Sequence, residues 1–322
     1  MPRLVQLALR AVLAALVLFM SPAFAAYPDR PVKLVVPQPP GGPADAVGRL
    51  LAQKLSDHWS VPVVVENRAG ADMQIAGSYV ARAPADGYTL MLTSVTFTMS
   101  KALYGSLPYD PQKDFTWISG FTTSPLLLVT GGAGPIRSVA DMISDARAAP
   151  GKQTFASVSS MNFIGGEMLK KSAGIQAVNV PYKGSAASVV AVSTGEATWT
   201  LDSLATVRPL VEARRLRILA VTGPSRLPQL PDVPTLAESG LKDFAVSSWF
   251  GVTAPAGLDP ALARKINADL QQLMGAADVK ERLGQIGMAP LPGDQPTYSR
   301  FVMDEFARYE ALIKANNLQV PR

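Results

Sequence analysis

The sequence predicts an α/β protein folded as two lobes of mostly parallel sheet. Two observations carry this. Apolar β-branched runs alternate with helical three-and-four spacings along almost the whole chain, with Pro and Gly at the turns between them. About 297 of the 322 residues follow an N-terminal export-type segment. The alternation is that of strands joined by crossover helices. The length suffices for a sizeable core in each of two lobes.

Residues 1–25 read as a cleaved signal peptide. Arg3 and Arg10 make a positive start, 11–20 is an apolar core, and Ala23-Phe24-Ala25 is a small-x-small cleavage signal. That core is ten residues, far short of the ~20 a membrane-spanning helix needs. A retained anchor is the alternative, and the absence of Cys excludes a lipoprotein. Zero cysteines also fit a protein exported to an oxidising compartment that relies on its core instead of disulfides. The formal charge of +5 falls to +3 once Arg3 and Arg10 leave. The remaining Lys and Arg are scattered, so the basic balance predicts no nucleic-acid surface. The densest cluster, Arg214, Arg215 and Arg217, ends a helical run at 205–213, where cations suit the helix dipole.

The first strand and helix, within 32–55, frame the most informative junction. Val32, Leu34, Val35 and Val36 form an apolar run; Val47, Leu50, Leu51 and Leu55 recur at helical spacing. Between them Gly41-Gly42 ends the strand, and Pro43 suits the first helical position. Such a junction aims free N–H groups and the positive end of the dipole above the strand's carboxyl end, a ready anion site. A tight glycine turn that binds nothing has the same pattern.

Next come a buried strand at 61–66, a turn at 67–71, a helix at 75–82, and an Asp86-Gly87 turn into a strand at 88–93. Residues 103–115 read as irregular and 126–129 as a strand. Ser138 to Asp141 opens a helix like a capping box, and Pro150-Gly151 stops it. A short strand at 154–157 opens onto the polar stretch 157–162, followed by a helix at 165–172 and a strand at 177–180. Pro181 to Gly184 turns into a helix capped by Ser185. Strands at 198–201 and 216–221 flank another helix, and a Pro-rich loop at 224–234 leads to a second capping box, Thr235 to Glu238. A strand at 247–252 and two amphipathic helices, 260–274 and 297–315, close the chain.

Nothing in this series assembles a catalytic centre. The single His, His58, stands at the end of the first helix. Without Cys or a second His, a zinc site would rest on carboxylates almost alone, unusual for a catalytic metal. Neither a Gly-x-Ser-x-Gly elbow nor a phosphate-binding GxxxxGK[ST] loop occurs. Lys183 and Asp202 are the polar residues best placed at strand ends, each readable as helix capping or as ligand contact. An exported α/β hydrolase or lyase is therefore the weaker alternative to a binding protein.

An ordered set of motifs resembles a known family. Tyr27-Pro-Asp-Arg-Pro-Val-Lys-Leu-Val-Val-Pro, Gly41-Gly42-Pro43-x-Asp45 and Val65-Glu66-Asn67-Arg68-x-Gly70 come first. Ala81-Arg-Ala-Pro-Ala-Asp-Gly-Tyr-Thr-Leu90, Leu107-Pro-Tyr-Asp110 and Val180-Pro-Tyr-Lys-Gly-Ser185 follow. Arg217-Ile-Leu-Ala-Val-Thr222, Leu230-Pro-Asp-Val-Pro-Thr235 and Ser248-Trp-Phe-Gly251 complete the set. Together they resemble the tripartite tricarboxylate transporter receptors, the Bug family of periplasmic solute-binding proteins.

The resemblance implies a type II periplasmic-binding-protein fold: two α/β lobes, 26–125 with 248–322 and 126–247, closing on a ligand in the cleft between them. It implies a periplasmic monomer without cofactor or metal. Such a protein captures a small di- or tricarboxylate or aromatic acid for TctA/TctB-like permease subunits or a sensor kinase. Carried onto this chain, the first ligand loop holds Gln38, Pro40, Gly41, Gly42, Ala44 and Asp45. The second holds Ser157, Ser159, Ser160, Met161 and Asn162, with Thr96, Tyr182, Lys183, Asp202 and Ser203 as cleft neighbours. Serine hydroxyls suit a carboxylate or a bridging water, although a serine-rich turn can equally cap the helix that follows. No Arg is evident in either loop, so recognition would rest on neutral donors.

The departures fall on the ligand loops. Gln38 stands where members commonly have an aromatic residue, Ala44 where they have Thr, and Asp72-Met73 where they have a glycine pair. The second loop is about two residues shorter and lacks the usual His. Phe97, Met161, Phe163 and Trp249 could line an apolar distal cleft favouring an aromatic or bulky carboxylate, or could simply be core.

Overall fold

The computed structural model describes residues 27–318 except 243, 245 and 316. The signal-peptide reading of 1–25 lies outside the described residues. In chain order the first half comprises β1 (Val32–Val36), α1 (Pro43–Trp59), β2 (Val63–Asn67), a 3-10 turn (Ala71–Met73), α2 (Gln74–Val80), β3 (Thr89–Ser94), α3 (Val95–Tyr104) and β4 (Phe115–Pro125). Then come β5 (Leu127–Gly131), α4 (Val139–Ala148), β6 (Gln153–Ser157), α5 (Ser160–Ala173), β7 (Ala177–Pro181), α6 (Ser185–Thr194), β8 (Trp199–Asp202), α7 (Leu204–Glu212) and β9 (Leu216–Val221). The chain ends with β10 (Ser247–Pro255), α8 (Pro260–Gly275), α9 (Ala277–Gln285), β11 (Ala289–Pro290) and α10 (Gln295–Ala315).

Two sheets result, one ordered β11-β4-β10-β3-β1-β2 and the other β7-β6-β8-β5-β9. The expectation of mostly parallel sheets needs correction. Only β2-β1-β3 and β7-β6-β8 are parallel triplets, and the other neighbours are antiparallel. The reason is the crossing. The chain leaves the larger sheet on β4, enters the smaller one on β5 after Leu126, and returns on β10. That return strand pairs with β4 antiparallel from Ser247 opposite Pro125 to Pro255 opposite Phe115. On β10, Gly251 lets the backbone pass Tyr298 and Ser119, since a Cβ there would meet the Tyr298 hydroxyl at 1.9 Å and the Ser119 carbonyl at 2.7 Å.

Four elements were not foreseen. The region given as irregular ends in β4, which is buried along nearly its whole length and so lacks a polar alternation. In α3 the run 95–100 is buried on every side, so no polar face marks the helix. At the C-terminus α9 and the two-residue β11 lie between the two expected helices. The Thr235–Glu238 capping box does form, with Glu238 N–H donating to the Thr235 hydroxyl at 3.0 Å and Thr235 N–H to the Glu238 carboxylate at 2.7 Å, yet it closes a turn and no helix follows. Arg215 donates to Ser193 and Arg217 to the Gly132 carbonyl, so that cluster ties the end of α7 and β9 to neighbouring turns.

The core follows the apolar pattern. Val47, Leu51, Leu55 and Trp59 of α1 pack with Val32, Leu34 and Val36 of β1 and with the buried faces of α8 and α9. Each fully buried Leu or Val contributes roughly 1.5–3 kcal/mol. A second cluster runs from Val35 and Met91 through Phe97, Phe115 and Trp117 to Phe155, Trp199 and Trp249, joining side chains of both sheets. The parallel triplet in each sheet matters most for function, because its strands all end at one edge and each runs into a helix or helical turn.

Candidate functional site

The first loop leaves β1 at Val36. Gly41 is left-handed, with φ of 87°, and Gly42 is an extended N-cap without a side-chain cap. Pro43 then opens α1. The first turn of α1 therefore offers uncapped N–H groups. Asp45 shapes this loop from within. Its Oδ2 accepts from Gly41 N–H at 3.0 Å and Arg49 Nε at 2.8 Å, and its Oδ1 accepts from Asn67 Nδ2 at 2.9 Å. Asn67 Nδ2 also donates to the Gln38 carbonyl at 3.0 Å, tying the end of β2 to the loop. The Arg49 guanidinium holds the Asp45 carboxyl down at about 2, against the opposing effect of burial, with help from Gly41 N–H and Asn67. Both Asp45 oxygens are thus engaged inside the fold.

Gln38 is half-buried, and its side-chain carbonyl oxygen lies 3.8 Å from where a Cβ on Gly42 would stand. The amide therefore sits over the N-terminus of α1. Pro40 is exposed on the rim, and the Ala44 methyl is buried in the core under α1. At the next strand end, Ser94 is an extended N-cap without a side-chain cap, and Thr96 is buried in the first turn of α3.

In the smaller sheet β6, β7 and β8 end together, each running into a helix. Their N-caps are Ser159, Gly184 and Ser203. The helix expected at 165–172 begins earlier, at Ser160, because Ser159 is extended and Ser160, Met161 and Asn162 already form the first turn. Ser157 is buried at the end of β6, and its carbonyl accepts from Tyr182 N–H at 2.7 Å. The Ser159 hydroxyl donates to Asn162 Oδ1 at 2.7 Å, and Asn162 Nδ2 donates to the Leu201 carbonyl at 2.6 Å. These bonds pin the start of α5 to β8. Ser160 is buried.

Asp202 is buried at the end of β8. Its Oδ1 accepts from Ser203 N–H at 2.7 Å, and the Ser185 and Thr206 hydroxyls face the carboxylate. Burial pushes its carboxyl up to about 6, with the Ser203 N–H and the Ser185 and Thr206 hydroxyls opposing. The Ser203 hydroxyl caps α7, 3.4 Å from Thr206 N and 2.9 Å from its Oγ1. Tyr182 turns its ring onto the second lobe's apolar cluster and donates its hydroxyl to Glu196 at 2.8 Å, while Lys183 is exposed. The structure thus brings Gln38, Gly41 and Gly42, and likewise Ser157, Ser159, Ser160 and Asp202, to strand-end helix starts, and commits Ala44, Tyr182 and Ser203 to other contacts.

Of the two readings of Phe97, Met161, Phe163 and Trp249, the structure favours the core. Phe97 is fully buried, stacked on Tyr109 at 5.6 Å and edge-on to Phe115 and Trp117. Trp249 is buried too, donating Nε1 to Glu305 at 3.1 Å and lying edge-on to Tyr298 and Phe301. Met161 and Phe163 belong to the same cluster, so all four are core residues. His58 faces Asp269 at 3.3 Å at the end of α1. Among the described residues no group of His, Cys, Asp and Glu could hold a metal ion, and no helix is long and apolar enough to cross a membrane. Asn67 and Arg49 are the contributors that sequence reasoning missed. Asn67 lay inside a quoted motif, but its partners are distant in the chain.

Two sheets crossed twice by one chain, with uncapped helix starts at the strand ends of each, define a two-lobed binding protein of the periplasmic-binding-protein type. The chain belongs to the tripartite tricarboxylate transporter receptor family, whose profile, "Tripartite tricarboxylate transporter family receptor", matches residues 47–318. It is 34% identical over 321 residues, 97% of this chain and 96% of the other, to the UPF0065 protein in the tcbD-tcbE intergenic region of Pseudomonas sp. strain P51. Among solved structures, Rpa4515 of R. palustris with adipate is 36% identical with a TM-score of 0.85, covering 91% of this chain and all of that one. The periplasmic binding protein BugD is 29% identical, with a TM-score of 0.82 and the same coverages. MatC of Rhodopseudomonas palustris with bound malate is 28% identical, TM-score 0.80, over 89% of this chain and all of that one. The family consists of solute-binding receptors that work with a transporter and are not enzymes.

Proposed function

We propose that this protein captures a small carboxylate in the periplasm, after removal of residues 1–25, and delivers it as a monomer to TctA/TctB-like permease subunits or to a sensor kinase. The observation that carries the reading is the pair of uncapped helix starts, at Gly42 before α1 and at Ser159 before α5. Each can hold an anion by backbone N–H groups and the helix dipole. The binding of adipate by Rpa4515 and of malate by MatC supports a carboxylate as that anion. The proposed lobes, 26–125 with 248–322 and 126–247, close as rigid bodies about the crossings near Leu126 and Ser247. Ligand contacts to both lobes drive that closure.

The test is thermal shift and calorimetry of the exported protein against mono-, di- and amino-carboxylates, aliphatic and aromatic. With the four aromatic and Met candidates buried in the core, aliphatic acids are the expected binders. Saturation at a hundred times Kd adds about 2.7 kcal/mol of stability and a one-to-one isotherm. The reading fails if no carboxylate shifts the melt, or if an ester or amide is turned over.

A further inference from the structure

The two crossings between the sheets meet at one rung. β4 and β10 pair antiparallel down to Pro125 opposite Ser247, and β5 begins at Leu127. Leu126 and Val246 are therefore the next pair along, at the point where the chain passes from one sheet to the other. Pro125 has no N–H to give the ladder, and beyond it a third segment enters between the two strands.

That segment is Thr222, the residue after β9. Its N–H donates to the Leu126 carbonyl at 2.9 Å, and its carbonyl accepts from Val246 N–H at 3.1 Å. Its hydroxyl accepts from Leu126 N–H at 2.8 Å and donates to the Val246 carbonyl at 2.6 Å. Every polar group of Thr222 is thus bonded to one of the two crossing residues. The main-chain bonds are open to any residue, and the hydroxyl pair is what this side chain adds. Leu126, Val246 and Thr222 are all buried, Thr222 completely. Gly223 then passes so close that a Cβ on it would meet Pro125 Cβ at 2.9 Å. Within the larger sheet the Thr123 hydroxyl also ties β4 to β10, donating to the Ser248 carbonyl at 3.1 Å. The crossing strands are therefore tied to each other on both sides of the joint.

We propose that Thr222 is a positioning residue for ligand capture: its hydroxyl pins the two crossing strands together, so that the lobes close about one axis through Leu126 and Val246. This rests on the two-lobed receptor reading above. A hinge bends at a few residues that absorb the backbone rotation. With Leu126 and Val246 held by one side chain, their rotations are coupled. Without the hydroxyl, Leu126 N–H and the Val246 carbonyl lose partners in a buried site, a loss that parting of the strands and entry of water relieve. The lobes then sample orientations in which the starts of α1 and α5 do not face one ligand. Apparent affinity falls with the fraction of molecules still aligned.

Thr222→Val keeps the shape and removes the hydroxyl, and Thr222→Ser keeps the hydroxyl. Asp57→Cys on α1 and Lys152→Cys before β6 put a spin label on an exposed position of each lobe, and the chain has no other Cys. Pulsed electron double resonance then reads the spread of lobe separations without any ligand. The Val variant should give a broader distribution than the wild-type joint, and the Ser variant the wild-type width. In calorimetry with adipate the Val variant should bind about tenfold more weakly and the Ser variant within about twofold of wild type. A Val variant with a lower melting temperature but an unchanged width would reduce Thr222 to a stabilising residue and overturn the assignment. A Ser variant as broad as the Val variant would overturn it too. If the widths behave as expected but adipate, succinate and malate bind neither protein, the receptor reading falls and the joint keeps its pin.

Discussion

Gly42→Asp is expected to abolish carboxylate binding while leaving the fold intact. Gly42 has φ of −90° and ψ of 175°, ordinary extended backbone for any residue. A Cβ there meets nothing closer than Gln38 Oε1 at 3.8 Å and the Pro39 carbonyl at 3.9 Å, both normal contacts. Asp is among the best N-cap residues and strengthens a helix by a few tenths of a kcal/mol over Gly, roughly. The new carboxylate would accept from the first-turn N–H groups of α1 and place a negative charge at the dipole's positive end. Those are the donors a ligand carboxylate needs. Occupied donors and like-charge repulsion together should weaken binding by about a hundredfold or more. Calorimetry with a carboxylate that binds the wild type reads this, and a melting curve shows the fold unchanged. Gly42→Ser, a neutral cap, should lose much less. Undiminished affinity in the Asp variant would place the clamp elsewhere. The neighbouring position does not allow so clean a test, because Gly41 is left-handed at φ of 87° and any side chain there strains the turn.

The same junction shows what a sequence can reveal about a site. Pro, Gly-Gly and Pro punctuate 37–43 so strongly that the strand end, the turn and the helix start follow from local rules. The role of Asp45 does not follow, because its partner Asn67 is 22 residues away and reaches it only once β1 and β2 are paired. The serine stretch is similar. A polar strand-to-helix turn was legible at Ser157 to Asn162, but Asn162 is fixed by the Leu201 carbonyl 39 residues on, which depends on β6 lying beside β8. Aromatic residues mislead for a further reason. Phe97 and Trp249 have the same chemistry in a core as in a cleft wall, and only their neighbours distinguish the two. Tyr182 stands at a strand end as expected, yet its hydroxyl turns to Glu196. Fold class needs only periodicity, whereas the division of labour in a site depends on non-local pairing.

Asp45→Ala should cost both stability and affinity, for one cause. Removing the buried carboxylate leaves Gly41 N–H without its acceptor and the Asn67 amide with the Gln38 carbonyl alone. Losing hydrogen bonds to a buried charge costs about 2–4 kcal/mol. The Arg49 ion pair adds little, since the Arg49 side chain is 58% exposed. Arg49→Gln should accordingly cost less than about 1 kcal/mol. Asp45→Asn keeps one acceptor oxygen and should fall between the two. Urea denaturation measures all three. The pH profile gives an independent reading. The Asp45 carboxyl lies near 2 in the folded protein, against 3.8 for a free Asp. A depressed value means that its stabilising effect is complete above about pH 4 and is lost as pH falls towards 2. The urea midpoint of the wild type should fall more steeply than that of the Ala variant over this window. Affinity should drop about tenfold, because the ligand must then order the Gln38 to Gly42 backbone that Asp45 now holds in place. Weakened binding with undiminished stability would instead make Asp45 a direct ligand contact, and the loop would owe its shape to Gly41 and Pro43 alone.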